Sequence, residues 1–383
     1  MRFKIDRNKF QRGIQIVQNI PQSNLSNPIL EHMYLAVDAS GTVTMRTSNL
    51  TLNAICRVEG TVMEPGEIAV PMKEMAQIVK ELPIAEVMVE GDEGMIRIDC
   101  GPASLRLRGV NADEFPQVTF LENGVELELS ASEFGGMVDK TIFATSEDRS
   151  RYILEGIKID AEGQRLKFIS TDGKRLSLVE RAMEKELEKS VSVLVPGKTM
   201  GEIRRIITGE DRIRIKIGEK KIEFFGDDFT LTSNLLVDNF PPYRQLIPSE
   251  FTLSFESGTA DFLRSVRRAS VLVDERTLMV VLEVSPEGIL VRGQSQAHGE
   301  ANTIVDVEYD SEPFKTAFRC DFLQEVLKVL EGEKVRFEFK NPTSPAVIKD
   351  SKDPGFLHVL MPLKVEENIA PAAEEQPEDE EEQ

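Results

Sequence analysis

The chain repeats itself three times, and no other feature of the sequence constrains its fold as strongly. The segments KFQRGIQIVQNI, EFGGMVDKTIFA and DFLRSVRRASVL each line one helical face with apolar residues. These are Phe10, Ile14 and Val17, then Phe134, Val138 and Ile142, then Phe262, Val266 and Ala269. The leading phenylalanines lie 124 and 128 residues apart. A second helical pattern recurs in VPMKEMAQIVKELP, VPGKTMGEIRRIIT and FRCDFLQEVLKVLEG, through Met75 and Ile78, Met200 and Ile203, and Leu323 and Val326. Between the two helices lie alternating stretches such as VTMRTSNLTLNAI, RLKFISTDGKRLSLVE and GILVRGQSQAHGEANTIVDVEY. Their period of two, with Gly, Asn and Asp at the bends, reads as antiparallel strands. The predicted architecture is α+β: three successive units of about 120 residues, each with two helices packed on antiparallel sheets. The boundaries fall at 1–120, 121–248 and 249–365, followed by a tail at 366–383.

The joints between units carry a short phrase of their own. DEFP at 113–116 closes the first unit and DNFP at 238–241 closes the second. In both, Pro ends a strand and Phe is expected to plug the connection to the next unit. The third unit ends at HVLMPLKV with no unit after it, so the phrase is absent there.

A net charge of −20 argues against nucleic acid until its distribution is considered. The last 18 residues, EENIAPAAEEQPEDEEEQ, hold nine acids and no base, and the rest of the chain balances at −11. That tail lacks apolar periodicity and is expected to be disordered, as either a solubilising or a regulatory extension. The bases collect on the repeated helices. Lys73 and Lys80 share one helix face, and their counterparts are Lys198 and Arg205, with Lys328 matching Lys80 in the third unit. Arg264, Arg267 and Arg268 form a stripe opposite Phe262 and Val266. Arg12 and Lys140 are assigned to solvent-facing positions in the other units. Basic positions held through three copies point to a surface that faces a polyanion. With no Trp, no stacking motif and no basic tract, that contact is expected to be loose and independent of sequence.

Other classes of function find little support. His32, His298 and His358 are scattered, and Cys56, Cys100 and Cys320 are widely spaced, so neither a metal nor a disulfide is expected. The PGKT at 196–199 lacks the Gly at position 192 that a phosphate loop requires and reads as a helix start. No catalytic residues and no cofactor are expected. No apolar run approaches the roughly 18 residues of a membrane span, and MRFKIDRNKF has no signal-like core. The expected compartment is the cytoplasm.

NPILEHMYLAV (27–37), STDGKRL (170–176), DNFPPYRQLIP (238–248) and HVLMPLKV (358–365) resemble the bacterial DNA polymerase sliding clamp, the β subunit of the replicative holoenzyme. The resemblance runs along residues 1–365 in order and leaves out only the tail. It implies three clamp domains and a head-to-tail homodimer whose six domains ring duplex DNA, with twelve helices lining the hole. Twelve helices spaced at about 9 Å leave a bore of roughly 24 Å, wide enough for a duplex without a tight grip. The implied role is processivity: double-stranded DNA is threaded, the replicative polymerase is tethered, and the clamp loader, translesion and repair proteins dock in turn.

Carried over by motif, the peptide cleft between the second and third domains comprises Leu154, Thr171, Gly173, Arg175, Leu176, Pro241, Leu246, Val359, Leu360, Met361, Pro362 and Leu363. Gln245 stands where the family often has Arg, which predicts a weaker charge contact with peptides there. The implied DNA contacts are Arg149, Arg151 and Lys174, with Arg175 and the helix bases Lys80, Lys198, Arg205, Arg264, Arg268 and Lys328. The early loop Ser23–Asn27 holds no base, although the family often has an Arg there. The implied dimer joint pairs ASLRLRGV (103–110) with ANTIVDVE (301–308), bringing Leu105 near Val271 and Leu272, and Arg106 or Arg108 near Glu300. The family often has an aromatic at the Leu105 position and more acids opposite it, so a less firmly closed ring is expected.

Overall fold

A computed structural model describes residues 1–22, 26–92, 94–237 and 239–364. The expected disordered tail at 366–383 lies outside the described residues, as does most of the Ser23–Asn27 loop. Two compact units emerge: Met1–Leu246 with Gly355–His358, and Ile247–Pro354 with the chain from Val359 onward.

The first unit holds the first two repeats. Their helices are α1 (Arg7–Val17), α2 (Met72–Glu81), α3 (Ala131–Ile142) and α4 (Gly197–Ile206). Asp6 caps α1 by accepting from the backbone N–H groups of Asn8 and Lys9 at 2.8 and 3.1 Å, and Ser130 caps α3 by accepting from Glu133 N–H at 3.2 Å. The phosphate-loop lookalike is indeed a helix start, since α4 begins at Gly197. α1 approaches its sheet at Gly13, where a Cβ would meet the Met45 side chain at 2.0 Å, so no larger residue fits without movement.

All strand pairings recorded in this unit are antiparallel. An eight-stranded sheet runs through both repeats, joined where Phe229–Asn234 pairs with Leu52–Glu59, Phe229 opposite Cys56. A five-stranded sheet belongs to the first repeat and ends at the strand Ala103–Arg108. Phe134 of α3 makes edge contacts with Phe168 at 5.5 Å and Phe224 at 5.8 Å, one from each sheet it covers.

The two joints differ. Phe115 of DEFP is buried with Ile29, Ala69 and Tyr34, and the Arg46 guanidinium lies 4.3 Å from the Tyr34 ring and 5.1 Å from Phe115. Phe240 of DNFP is only half-buried, 6.5 Å from Tyr243, with the Lys158 ammonium 5.9 Å from its ring. Asp238 lies outside the described residues.

A turn is also built twice. Thr171 Oγ1 accepts from Gly173 N, and Asp172 Oδ1 accepts from Lys174 N and Arg175 N. In the first repeat Ser48 Oγ accepts from Leu50 N, and Asn49 Oδ1 accepts from Thr51 N and Leu52 N. Gly173 sits at φ 86° and Leu50 at φ 75°, a left-handed conformation that strains a leucine.

The second unit holds the third repeat, with α5 (Thr259–Ala269) and α6 (Cys320–Val329). Phe255, Phe262 and Phe337 form its aromatic core, Phe255 stacked on Phe337 at 4.8 Å and Phe262 edge-on to Phe337 at 5.5 Å. A four-stranded sheet begins at its edge strand Gly299–Val305.

Two surface assignments are corrected. Lys140 is 3% exposed, because the strands beside α3 close over its last turn; Ser177 donates to the Lys140 carbonyl and the ammonium lies 5.9 Å from the Phe356 ring. Arg12 is not a free solvent-facing base. It pairs with Glu210 at 2.8 Å and Asp228 at 3.5 Å and donates to the Ile206 carbonyl, tying α1 to the second repeat.

Candidate nucleic-acid interface and partner cleft

Helix amphipathicity places the bases. α2, α4, α5 and α6 bury Met75 and Val79, Met200 and Ile203, Phe262 and Val266, and Leu323 and Val326. The opposite faces therefore expose Lys73 and Lys80, Lys198, Arg264, Arg267 and Arg268, and Lys328. Among the described residues Lys73, Lys80, Lys174, Lys198, Arg267, Arg268 and Lys328 have no carboxylate within ion-pairing distance. Arg264 pairs with Asp261 one turn before it. Arg205 is less available: it binds Glu202 at 2.9 Å and donates to the Gln15 carbonyl at 2.6 Å, where the C-terminal end of α1 favours a cation.

The sheets treat their bases differently. Arg2 pairs with Glu90 at 2.9 Å, Lys167 with Glu180 at 2.9 Å and Arg212 with Glu128 at 2.7 Å in the first unit. Lys315 pairs with Glu283 at 2.9 Å and Lys349 with Glu338 at 2.6 Å in the second. Neighbouring strands hold opposite charges a few ångströms apart, so each of these bases finds a glutamate on the strand beside it.

Lys174 is exposed at the tip of its turn. Arg149–Leu154 forms a short 3-10 helix, but the side chains of Arg149 and Arg151 lie outside the described residues. Arg175 does not belong with the DNA-facing bases. It is buried, with Nε on Asp172 at 3.0 Å and a terminal nitrogen on the Phe143 carbonyl at 2.5 Å.

The residues assigned to the peptide cleft fall in both units. In the first, Leu154, Thr171, Arg175 and Leu176 are buried, Gly173 is exposed, Pro241 is half-buried and Leu246 is 47% exposed. Thr171 donates to the Arg175 carbonyl at 2.6 Å and so fixes the turn that carries Arg175. In the second, Val359 and Leu360 are buried, Met361 is 49% exposed, and Pro362 and Leu363 are half-buried. Each unit thus offers one outward apolar side chain from this set, Leu246 and Met361.

Sequence reasoning missed the support behind Arg175. His358 is wholly buried, its ring stacked on Phe143 at 5.5 Å, with neither ring nitrogen hydrogen-bonded among the described residues. Burial first, and then the Arg175 charge, push its pKa down to about 3. The imidazole is therefore neutral at ordinary pH. The only sequence signal was its inward position in the alternating strand FLHVL.

Of the residues assigned to the dimer joint, Leu105, Arg106, Arg108 and Glu300 lie on open strand edges, and Val271 and Leu272 on a short 3-10 helix, Ser270–Leu272. In the first unit Ala103–Arg108 has one neighbouring strand, with Leu105 half-buried and Arg106 and Arg108 exposed. In the second, Gly299–Val305 likewise has one neighbour, Glu300 is exposed and Leu272 half-buried, and Val271 and Ile304 are 77% and 72% exposed. Unpaired strand edges beside exposed apolar side chains are the surfaces that associate. Among the described residues no cluster of His, Cys, Asp or Glu is placed to hold a metal ion, and no helix is long and apolar enough to cross a membrane.

Comparison with known proteins follows the repeats. Three family models of the DNA polymerase III beta subunit match in order: the N-terminal domain over residues 1–119, the central domain over 128–242 and the C-terminal domain over 244–364. The beta sliding clamp of Salmonella typhimurium is 29% identical over 370 residues and that of Escherichia coli K12 28% over 368, each match covering 95% of this chain and all of the relative. Among solved structures, the sliding clamp of Bartonella birtlesii, bound to griselimycin, superposes with a TM-score of 0.91 at 26% identity, covering 95% of this chain and all of that one. The Bacillus subtilis clamp gives 0.90 at 26% identity, covering 96% and 100%. With bases on four helices left without carboxylate partners among the described residues, and a family match over nearly every described residue, the chain belongs to the bacterial DNA polymerase III beta subunits, and its function is that of a non-catalytic DNA sliding clamp in replication.

Proposed function

We propose that two copies of this chain close head to tail into a ring around duplex DNA, each contributing clamp domains at 1–120, 121–248 and 249–365. The ring closes through Leu105, Arg106 and Arg108 of one copy against Val271, Leu272 and Glu300 of the other. The observation that carries this reading is the set of helix bases without a carboxylate partner among the described residues, Lys80, Lys198, Arg267, Arg268 and Lys328, in a chain whose net charge is −20. A base kept free amid such an excess of carboxylates is available to an external polyanion.

Such contacts are to phosphates and carry no sequence information, so motion along the duplex meets low barriers. Persistence comes from topology rather than grip. A polymerase docked on the ring is held at high effective concentration beside its primer end. The replicative polymerase, clamp loader, translesion and repair proteins dock through short peptides. Their apolar anchors use the exposed side chains of Leu246 and Met361, and the flexible thioether of Met361 suits varied anchors. The working compartment is the cytoplasm.

The test is retention on nicked circular DNA after loading by the cognate clamp loader, before and after the circle is cut once. Loss on linearisation, and survival when the ends are blocked, is the expected result. Equal retention on open-ended and circular duplexes would overturn encirclement.

A further inference from the structure

We infer that the acidic segment Glu366–Gln383 docks on the third repeat of its own chain, on Arg267 and Arg268 of α5 and Lys328 of α6, and competes there with duplex DNA. This rests on the reading of those bases as phosphate contacts.

The receiving surface is one basic face made by two helices. α5 packs against α6, and Gln324 Nε2 donates to Ser270 Oγ at 3.1 Å, while the same hydroxyl donates to the Arg267 carbonyl at 2.8 Å. Lys328 follows Gln324 by one turn, so it projects from the same side of α6. None of the three bases has a carboxylate partner among the described residues.

The occupant is named by charge and connection. Glu366–Gln383 carries nine acids and no base, grouped at Glu366–Glu367, Glu374–Glu375 and Glu378–Glu382. The C-terminal-domain family model ends at residue 364, so the segment is an addition to the shared clamp. It departs from the repeat that carries the receiving surface: Leu363 N–H donates to the Ala317 carbonyl at 2.8 Å, and the strand bearing Ala317 runs into the start of α6. Residues 365–383 can span up to about 60 Å, against a radius of gyration of roughly 13 Å for a domain of this size. Tethering holds the carboxylates at millimolar effective concentration, and Arg donates to a carboxylate in the same bidentate fashion as to a phosphate. The segment thereby lowers the occupancy of those bases by DNA, most strongly at low salt.

The experiment compares the full chain with the chain ending at Lys364 and with a full-length chain whose nine tail acids are replaced by Gln or Asn. Two probes are used: a fluorescein-labelled Glu366–Gln383 peptide added to the shortened chain, and a labelled 30-base-pair duplex. The peptide is expected to bind the shortened chain in low salt and to lose binding in the Arg267→Ala/Arg268→Ala/Lys328→Ala variant. The duplex is expected to bind roughly 3- to 10-fold tighter to both the shortened and the neutral-tail chains than to the full chain. That gain is expected to disappear in the triple variant. Failure of the peptide to bind, or a tail-removal gain that persists in the triple variant and so reflects net charge alone, would overturn the inference. If no form binds the duplex, the DNA reading fails, while the peptide measurement still decides the docking.

Discussion

The helix faces and the sheet faces of this protein use the same basic side chains for different ends. On the sheets Arg2, Lys167, Arg212, Lys315 and Lys349 each have a glutamate across the ladder. On the helices Lys80, Lys198, Arg267, Arg268 and Lys328 have none among the described residues. The overall composition does not explain the contrast, since acids exceed bases in the chain as a whole. Local geometry contributes: strand pleating sets opposite charges side by side, whereas a helix base is answered only where an acid a turn away is not already engaged, and Glu202, four residues from Lys198, binds Arg205 instead. Asp261 answers Arg264 in the same way. Charge alone therefore says little about a surface; what matters is whether each charge is already answered.

The largest expected effect challenges the sheets' apparent role as sealed surfaces. Leu105→Ala, on one open edge, with Leu272→Ala, in the 3-10 helix after α5, is expected to weaken the dimer on the order of 100-fold, giving monomers by sedimentation at micromolar concentration and no retention on circles. Intact dimers would count against these edges. Next, replacing Lys80, Lys198, Arg267, Arg268 and Lys328 by Gln should weaken duplex binding and flatten its salt dependence, by roughly 0.9 in log–log slope for each phosphate left unneutralised. Its thermal midpoint should stay near the parent value, because no ion pair is broken. An unchanged slope would remove the helix faces from the DNA path.

A third prediction concerns a titratable group enclosed in the fold. His358 is neutral when folded, with a pKa of about 3, and ordinary when unfolded. The unfolded chain therefore binds more protons below about pH 6.5, and stability falls as pH drops from there towards 3. Between pH 7 and 5 this amounts to about 2 kcal/mol, read as a urea midpoint shift that His358→Phe should remove. An equal shift in both proteins would assign the pH response elsewhere. The smallest effect is on the sheets: Lys167→Ala should move the thermal midpoint by less than about 2 °C and leave DNA retention unchanged. A loss of retention would erase the distinction between the two faces.

Much of this is legible in the chain. Phe10, Phe134 and Phe262 read as the buried anchors of equivalent helices, and each is wholly buried. The start of α4 is legible because a phosphate loop needs a Gly that position 192 does not supply. The repeated turn is not, since Ser48-Asn49-Leu50 and Thr171-Asp172-Gly173 share no residue, only hydroxyl and carboxamide or carboxylate oxygens that accept from the same backbone N–H groups. Helical periodicity misplaces Lys140 and Arg12 because it assigns a side chain to a face but cannot say what other element covers that face.

The threefold repeat, the apolar face of each helix and the alternation of each strand follow from the order of residues alone, because they depend on residues close along the chain. Tertiary structure alone decided which bases are answered, that Arg175 and His358 lie buried against Phe143, and which strand edges stay open. Those outcomes depend on groups brought together from distant positions, such as Arg205 with Gln15 or Lys140 with Phe356, and no local pattern encodes such a meeting.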